Sequence, residues 1–128
     1  MTSIQRITFV WNADFSLAGG IRDLKEVAGG YHSCTLCAIA YHRITQTADW
    51  KTYTQALTAQ YGAQIRQPCR NQLSRAEQAA AAGDYPAVLA HTSAGVVRVL
   101  GAKEINACKG ALAPFKRKLN AALAALST

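Results

Sequence analysis

The side chains best suited to chemistry are concentrated in residues 31–42, which read YHSCTLCAIAYH. Cys34 and Cys37 form a C-x-x-C motif, and His32 and His42 flank it. Two cysteines at this spacing can close one disulfide or bind one metal ion. The segment therefore indicates thiol redox chemistry or metal binding, and it leaves the choice between them open.

The redox hypothesis gives the two cysteines different roles. A helix is predicted to begin after the motif, over residues 38–44, and the unpaired amides at a helix start favour a thiolate. Cys34 would then be the attacking thiol and Cys37 the resolving thiol. A protonated His32 or His42 would lower the thiol pKa further, whereas a neutral histidine would serve as a metal ligand. The alternative without chemistry is that the cysteines pack as small apolar residues.

The composition predicts one globular domain over residues 1–128, because half of the residues are apolar and 16% are charged. A chain of this length can bury a hydrophobic core without disulfides. The net charge of +7 favours anionic partners. However, the cations are scattered, and the densest run, residues 116–118, is interpreted as a solvated helix face. The absence of zinc-finger spacing and RNA-binding aromatic motifs disfavours nucleic acid as a partner.

The sequence also bears on compartment and reaction class. The first residues lack the pattern of a signal peptide, and no apolar run is long enough to span a membrane. We therefore expect a cytoplasmic protein without a membrane partner, and in that compartment a C-x-x-C motif is more often catalytic or metal-binding than structural. No Gly-rich phosphate loop, G-x-S-x-G or H-E-x-x-H motif occurs, which disfavours nucleotide binding and hydrolysis.

Hydrophobic periodicity predicts alternating helices and strands. The predicted strands are residues 4–11, 63–67, 85–91 and 96–100, and the predicted helices are residues 15–28, 48–61, 72–82, 102–108 and 111–126. The short turn at residues 93–95 should join the last two strands as an antiparallel hairpin. His91, next to this turn, is predicted to be a surface residue, and Cys69 a loop residue. The order predicts an α/β fold, with helices on both faces of a mixed sheet.

The βαβ…ββα order resembles the thioredoxin superfamily. The resemblance depends on the strand at residues 4–11, on a proline before the terminal hairpin, Pro86, and on the closing helix. It implies a thioredoxin-like α/β fold that ends in a β-hairpin and a helix, with a cis Tyr85–Pro86 bond beside the active site. The chain departs from the family in one respect, because residues 12–16 stand where the family has its C-x-x-C motif. Here the motif follows one predicted helix later, so its cysteines need not face Pro86.

The chain also looks like a group of small, uncharacterised bacterial proteins. The matching segments are NAD at residues 12–14, C-x-L-C at residues 34–37, PAVL at residues 86–89 and EINAC at residues 104–108. This resemblance implies no activity. It does imply that Cys108 belongs with the two cysteines of the motif, whereas Cys69 lies outside the pattern.

Together these features favour a thiol-disulfide oxidoreductase or a thiol redox sensor. Its site would comprise Cys34, Cys37, Cys108 and Pro86, with Cys108 as a second resolving thiol. The partner would be a protein or small-molecule thiol or disulfide, and no cofactor is required.

Two other functions remain open. In the first, Cys34, Cys37 and Cys108, with His32 or His42, would form a four-ligand site for zinc or copper. The second is a non-catalytic binding protein on a thioredoxin-like scaffold, since a fold does not determine a function.

Overall fold

The structure is a computed structural model that describes residues 3–12, 15–16, 20–21, 35–42 and 45–127. Its strands are β1 Ile4–Val10, β2 Phe15–Ser16, β3 Gly20–Ile21, β4 Tyr41–His42, β5 Thr45–Gln46, β6 Gln64–Arg66, β7 Ala87–Thr92 and β8 Gly95–Leu100. Its helices are α1 Thr35–Ala40, α2 Ala48–Tyr61, α3 Arg75–Ala81, α4 Ala102–Asn106 and α5 Leu112–Ser127, together with a 3-10 turn at Arg70–Gln72.

The main sheet has four strands in the order β6-β1-β7-β8. β1 pairs with β6 in parallel, whereas β7 is antiparallel to both β1 and β8. The chain therefore forms a parallel unit, β1–α2–β6, and later an antiparallel hairpin, β7–β8, which two helices follow. This mixed sheet confirms the predicted α/β fold class, and the hairpin with its closing helix is as expected.

The two faces of the sheet carry separate hydrophobic clusters, because side chains alternate along a strand. Phe9 lies in the larger cluster with Trp50 of α2 and Phe115 of α5, whereas Val10 and Leu89 lie in the smaller one. The Phe9 and Trp50 rings meet edge to face with centroids 5.0 Å apart, and the Trp50 and Phe115 centroids are 5.8 Å apart. Helix α3 packs against β7 and β8. The helices therefore cover both faces, as the sequence predicts.

Helix α2 has the predicted bounds because both of its ends are capped. The Thr47 hydroxyl accepts a hydrogen bond from the Trp50 amide at 3.1 Å, which satisfies an unpaired donor of the first turn. At the other end Gly62 has a φ of +66°, and its amide donates to the Thr58 carbonyl at 2.8 Å. A left-handed backbone conformation at the end of a helix favours glycine. The sequence marks both caps directly.

The helix predicted over residues 15–28 is not present at residues 15–16 and 20–21, the part of this range that the structure describes. Phe15 pairs with Ile21, and Ser16 pairs with Gly20, in a small antiparallel strand pair. Two adjacent glycines at residues 19–20 disfavour a helix by about 1 kcal/mol each. The rest of this predicted helix lies outside the described residues.

The helix predicted at residues 38–44 is wrong at both bounds. Helix α1 begins at Thr35 and ends at Ala40, and Tyr41 then pairs with Gln46 in the β4–β5 hairpin. Residues 41–45 contain a tyrosine, an isoleucine and a threonine, which favour extended backbone over helix. The C-x-x-C motif therefore overlaps the helix instead of preceding it.

Helix α3 begins later than the predicted residue 72, because Ser74 caps it. The Ser74 hydroxyl accepts from the Glu77 amide at 3.2 Å, and the Ser74 amide donates to Glu77 Oε1 at 2.9 Å. This reciprocal pair is the capping box that serine followed three residues later by glutamate can form. The sequence contained the signal, and the alanine-rich run obscured it.

Candidate functional site

Helix α1 carries the second cysteine of the motif, Cys37, at its third position. Leu36, Ile39 and Ala40 of the same helix are buried in the larger hydrophobic cluster. Cys34 and His32 lie outside the described residues, and for Cys37 the structure describes the backbone. Because three of its six residues are packed in the core, α1 holds the Cys37 backbone at a defined place.

The end of α1 is tied to the start of α2. The Thr47 amide donates to the Ala40 carbonyl at 2.9 Å, which brings the two ends of residues 41–46 together. Within that segment His42 pairs with Thr45. The hairpin that follows the cysteine helix is therefore closed by backbone bonds onto the N-cap of α2.

Gln67 connects this hairpin to the central strand. Its Oε1 accepts from Gln46 Nε2 at 2.5 Å and from Trp50 Nε1 at 3.3 Å. Its carbonyl accepts from Trp11 Nε1 at 2.9 Å. Since Gln67 directly follows β6 and Trp11 directly follows β1, all of these contacts lie at the carboxyl ends of the two parallel strands. This is the edge where sites gather in sheets with parallel strands.

Pro86 lies at the same edge of the sheet. It is buried, and it immediately precedes Ala87, which pairs with Val10 at the end of β1. The Tyr85–Pro86 bond is cis, as expected. The bonds of Thr47 and Gln67 tie the end of α1 to the sheet edge that also carries Pro86.

Cys108 is a buried thiol that follows helix α4. It is 3% exposed, and its Sγ donates to the Glu104 carbonyl at 3.4 Å. Helix α4, which leads to Cys108, contacts helix α1. Burial raises the pKa of the Cys108 thiol, and the nearby charges of Lys118 and Arg117 offset this only in part. Cys108 is therefore held as a neutral thiol, and it does not have the properties of an attacking thiolate.

Cys69 lies between β6 and the 3-10 turn, outside the named strands and helices as predicted, but it is buried. It is 3% exposed, belongs to the larger hydrophobic cluster, and forms an isolated bridge with Trp11. The burial was not predicted because arginines and a proline surround Cys69 in sequence, whereas in the fold its side chain belongs to the core. Neither Cys69 nor Cys108 forms a disulfide.

Within the described parts of the chain, no group of three or more His, Cys, Asp or Glu side chains could hold a metal ion. The proposed ligands Cys34 and His32 lie outside those parts, and for Cys37 and His42 only the backbone is described. Of the proposed ligands, Cys108 is the one with a described side chain. A buried thiol with a raised pKa needs a bound metal to become a thiolate ligand.

A buried polar cluster, which the sequence analysis missed, lies on the α3 face of the sheet. Glu77 is 1% exposed, and its Oε2 accepts from Arg66 Nη1 at 2.7 Å and from His91 Nε2 at 3.1 Å. His91 Nε2 also lies 3.3 Å from Thr8 Oγ1. His91 is therefore half-buried and partnered, which corrects its prediction as a surface residue. The serine–glutamate spacing of the capping box is the signal that could have located Glu77.

The Glu77 cluster has a structural role. Burial by itself would raise the pKa of Glu77, but hydrogen bonds from Ser74 and Arg66 and the Arg66 charge outweigh it and lower that pKa. The carboxylate is thus ionised and fully partnered. A catalytic proton relay uses both ring nitrogens of a histidine. His91 contacts Glu77 and Thr8 through the same nitrogen, Nε2, and Thr8 is completely buried. These three residues therefore form no proton relay to a nucleophile. It links α3 to three strands of the sheet.

The chain matches no protein-family model, no curated protein and no solved structure. In the parts of the chain that the structure describes, no helix is both long enough and apolar enough to cross a membrane. The function must therefore be argued from the residues at the carboxyl edge of the parallel strands.

Proposed function

We propose that this protein is a thiol-disulfide oxidoreductase or a thiol redox sensor that uses Cys34 and Cys37. The sheet topology supports a thioredoxin-like assignment, since a parallel βαβ unit is followed by an antiparallel hairpin and a closing helix. Helices on both faces and a buried Pro86 before the hairpin fit the same assignment.

The observation that carries the proposal is the position of helix α1. Its last residue, Ala40, is bonded to Thr47, and Gln46 and Trp50 on either side of Thr47 are bonded to Gln67. These bonds hold the end of the cysteine helix at the sheet edge that also carries Pro86. A disulfide partner that docks at this edge would meet the cysteine segment and a rigid proline together.

The proposed reaction is a two-step exchange. The Cys34 thiolate attacks one sulfur of the partner disulfide, and the other partner sulfur leaves as a thiolate and takes a proton from solvent. The Cys37 thiolate then attacks Cys34 Sγ and releases the second partner thiol. The protein is left with a Cys34–Cys37 disulfide, and the partner has gained two electrons. Cys108, buried and protonated, acts in neither step.

The test is the exchange of the reduced protein with oxidised glutathione, followed by mass spectrometry. We expect Cys34→Ser to lower the exchange to the uncatalysed rate. Cys37→Ser should retain the first step and accumulate one glutathione on Cys34, because no resolving thiol remains. Cys69→Ala is the matched control, since it removes a cysteine outside the motif, and it should exchange like the wild type. Exchange at the wild-type rate in a Cys34→Ser/Cys37→Ser variant would contradict the proposal.

The second candidate is a zinc or copper site, and the contact between α1 and α4 favours it. That contact brings the helix of Cys37 next to the helix that leads to Cys108. Cys34 and His32 or His42 would complete a tetrahedral set. A native mass spectrum of protein purified without chelator distinguishes the candidates. One bound metal, lost with chelator and absent from Cys108→Ala, would establish the metal site, whereas a metal-free mass two hydrogens lighter, restored by reductant, would establish the dithiol.

A further inference from the structure

Helices α2 and α5 enclose a groove on the face of the sheet that carries Phe9. The groove has a volume of about 730 Å³, within the range of about 300–1,000 Å³ that is typical of small-molecule sites. It belongs to neither the cysteine segment nor the Glu77 cluster, since residues from α2 and α5 line it. A role for this groove would therefore be additional to thiol chemistry.

The floor of the groove is apolar. Leu57 is 1% exposed and Tyr53 is 6% exposed, and Leu112 lines the groove beside them. The Tyr53 hydroxyl donates to Asn120 Oδ1 at 2.8 Å. Burial, with a smaller contribution from the charge of Tyr61, raises the pKa of Tyr53. The phenol therefore stays neutral, and the apolar surface that a ligand can reach comes from Leu112 and from the exposed Ala56 and Ala113.

The wall of the groove is cationic. Lys116 Nζ lies 5.4 Å from the centroid of the Tyr53 ring, a distance at which the ring face attracts the ammonium. Arg117 lines the same wall, and Asp49 is the one carboxylate among the lining residues. Two cations against one carboxylate leave the lining positive. Moreover, the hydrogen bond of Tyr53 to Asn120 holds in place the ring over which Lys116 lies.

We propose that the groove between α2 and α5 binds an organic anion with an apolar body, such as an aromatic or alkyl carboxylate, sulfonate or phosphate. The apolar part lies against Leu112, Ala56 and Ala113, above the buried Leu57 and Tyr53. The anionic group is bound by Lys116 and Arg117, and the guanidinium can bind it with two parallel hydrogen bonds. This assigns a role to two of the three cations of residues 116–118, which the sequence analysis interpreted as a solvated face.

The test is a fluorescence titration of the full chain with 8-anilinonaphthalene-1-sulfonate, an aromatic sulfonate. We expect saturable binding that weakens with added salt, because the charges lie at a surface. A Lys116→Gln/Arg117→Gln variant should raise the dissociation constant about tenfold, since each charge contributes a partly screened attraction. Ala113→Trp, which keeps the charge and fills the groove from an exposed position, should abolish binding.

The matched control is Lys51→Gln/Lys118→Gln. It removes the same amount of charge, from the two helices that line the groove, at exposed positions outside the groove, so it should bind like the wild type. Equal weakening in both double variants would show that the probe responds to overall charge and would overturn the proposal. Undiminished binding to Ala113→Trp would overturn it too, because the probe would then lie elsewhere. The thermal unfolding of each variant is measured beforehand to show that it folds. If Ala113→Trp does not fold, the comparison of the two double glutamine variants decides whether the groove binds the probe.

Discussion

The two faces of the four-stranded sheet pack against their helices by different means. On one face Phe9, Trp50 and Phe115 form a contiguous aromatic cluster between the sheet and helices α2 and α5. On the other face the apolar cluster is smaller, and beside it the carboxylate of Glu77 is shared by Arg66 and His91. One face is thus stabilised mainly by apolar burial and the other in part by a buried charge with its donors.

This difference determines how each face responds to change. Apolar packing is non-directional and nearly independent of pH, so damage to it depends on the volume removed. A buried carboxylate is stable only while every partner is present, and its contribution follows its ionisation. Stability measurements on matched variants can separate the two contributions.

The largest effect is expected on the aromatic face. Trp50→Ala removes a fully buried ring that contacts Phe9, Trp11 and Phe115, and it should lower the free energy of unfolding by about 3–5 kcal/mol. Denaturant unfolding at neutral pH measures this loss. Lys51→Ala, the exposed neighbour on the same helix, should change stability by less than about 0.5 kcal/mol. A comparable loss in both variants would contradict ring burial as the cause, because Lys51→Ala removes no buried group and alanine has the highest helix propensity.

An intermediate effect is expected at Glu77. Glu77→Gln keeps the side-chain size and weakens the charge-assisted bonds to Arg66 and His91, so it should cost about 2 kcal/mol at neutral pH. Chemical unfolding of the wild type and the variant under the same conditions measures this difference.

The pH dependence of the same variant separates the faces. The pKa of folded Glu77 lies below its usual value of 4.5, so the unfolded chain binds more protons between the two values. The stabilisation is complete above the unfolded pKa and is lost as the pH falls through the folded pKa. The wild type should therefore lose more stability than Glu77→Gln between about pH 6 and about pH 3. Over this range the stability of Trp50→Ala should fall with pH as much as that of the wild type does. If the stability of Trp50→Ala instead changed with pH like that of Glu77→Gln, the proposed division between the two faces would be wrong.

The smallest effect is expected at Thr8. Thr8→Val removes a hydroxyl that lies 3.3 Å from His91 Nε2, while the bond from His91 to Glu77 remains. The loss should be below about 1 kcal/mol by denaturant unfolding. A loss above about 2 kcal/mol would mean that the hydroxyl is an essential partner of the cluster, because that is the cost of an unsatisfied buried polar group.

Local signals explain why much of the fold could be predicted. Thr47 and Gly62 mark the ends of α2, and short runs rich in apolar and β-branched residues mark β1 and the strands of the hairpin. The same signals failed at residues 15–21, where a helical spacing of apolar residues coexists with adjacent glycines, and the chain pairs as strands instead. A helical spacing of apolar residues does not by itself exclude a strand pair, because two short strands can pair through only two residues each.

The candidate site was predictable in part. The spacing of Cys34 and Cys37 is sequence information, and their chemistry stays a prediction. The burial of Cys108 and its raised pKa depend on the helices packed around it. The polar cluster was beyond sequence reasoning, since Arg66, Glu77 and His91 are separated by 11 and 14 residues and meet only when α3 packs on the sheet.

The amino-acid sequence by itself determined the helix caps, the strand pattern and the C-x-x-C spacing, because each depends on neighbours within a few residues. Only the tertiary structure decided that the cysteine helix ends at the same sheet edge as Pro86, through bonds that join Ala40 to Thr47 and Gln46 to Gln67. It also decided that Lys116 lies over the Tyr53 ring. Such juxtapositions arise from long-range packing, in which residues far apart in the chain exclude water together.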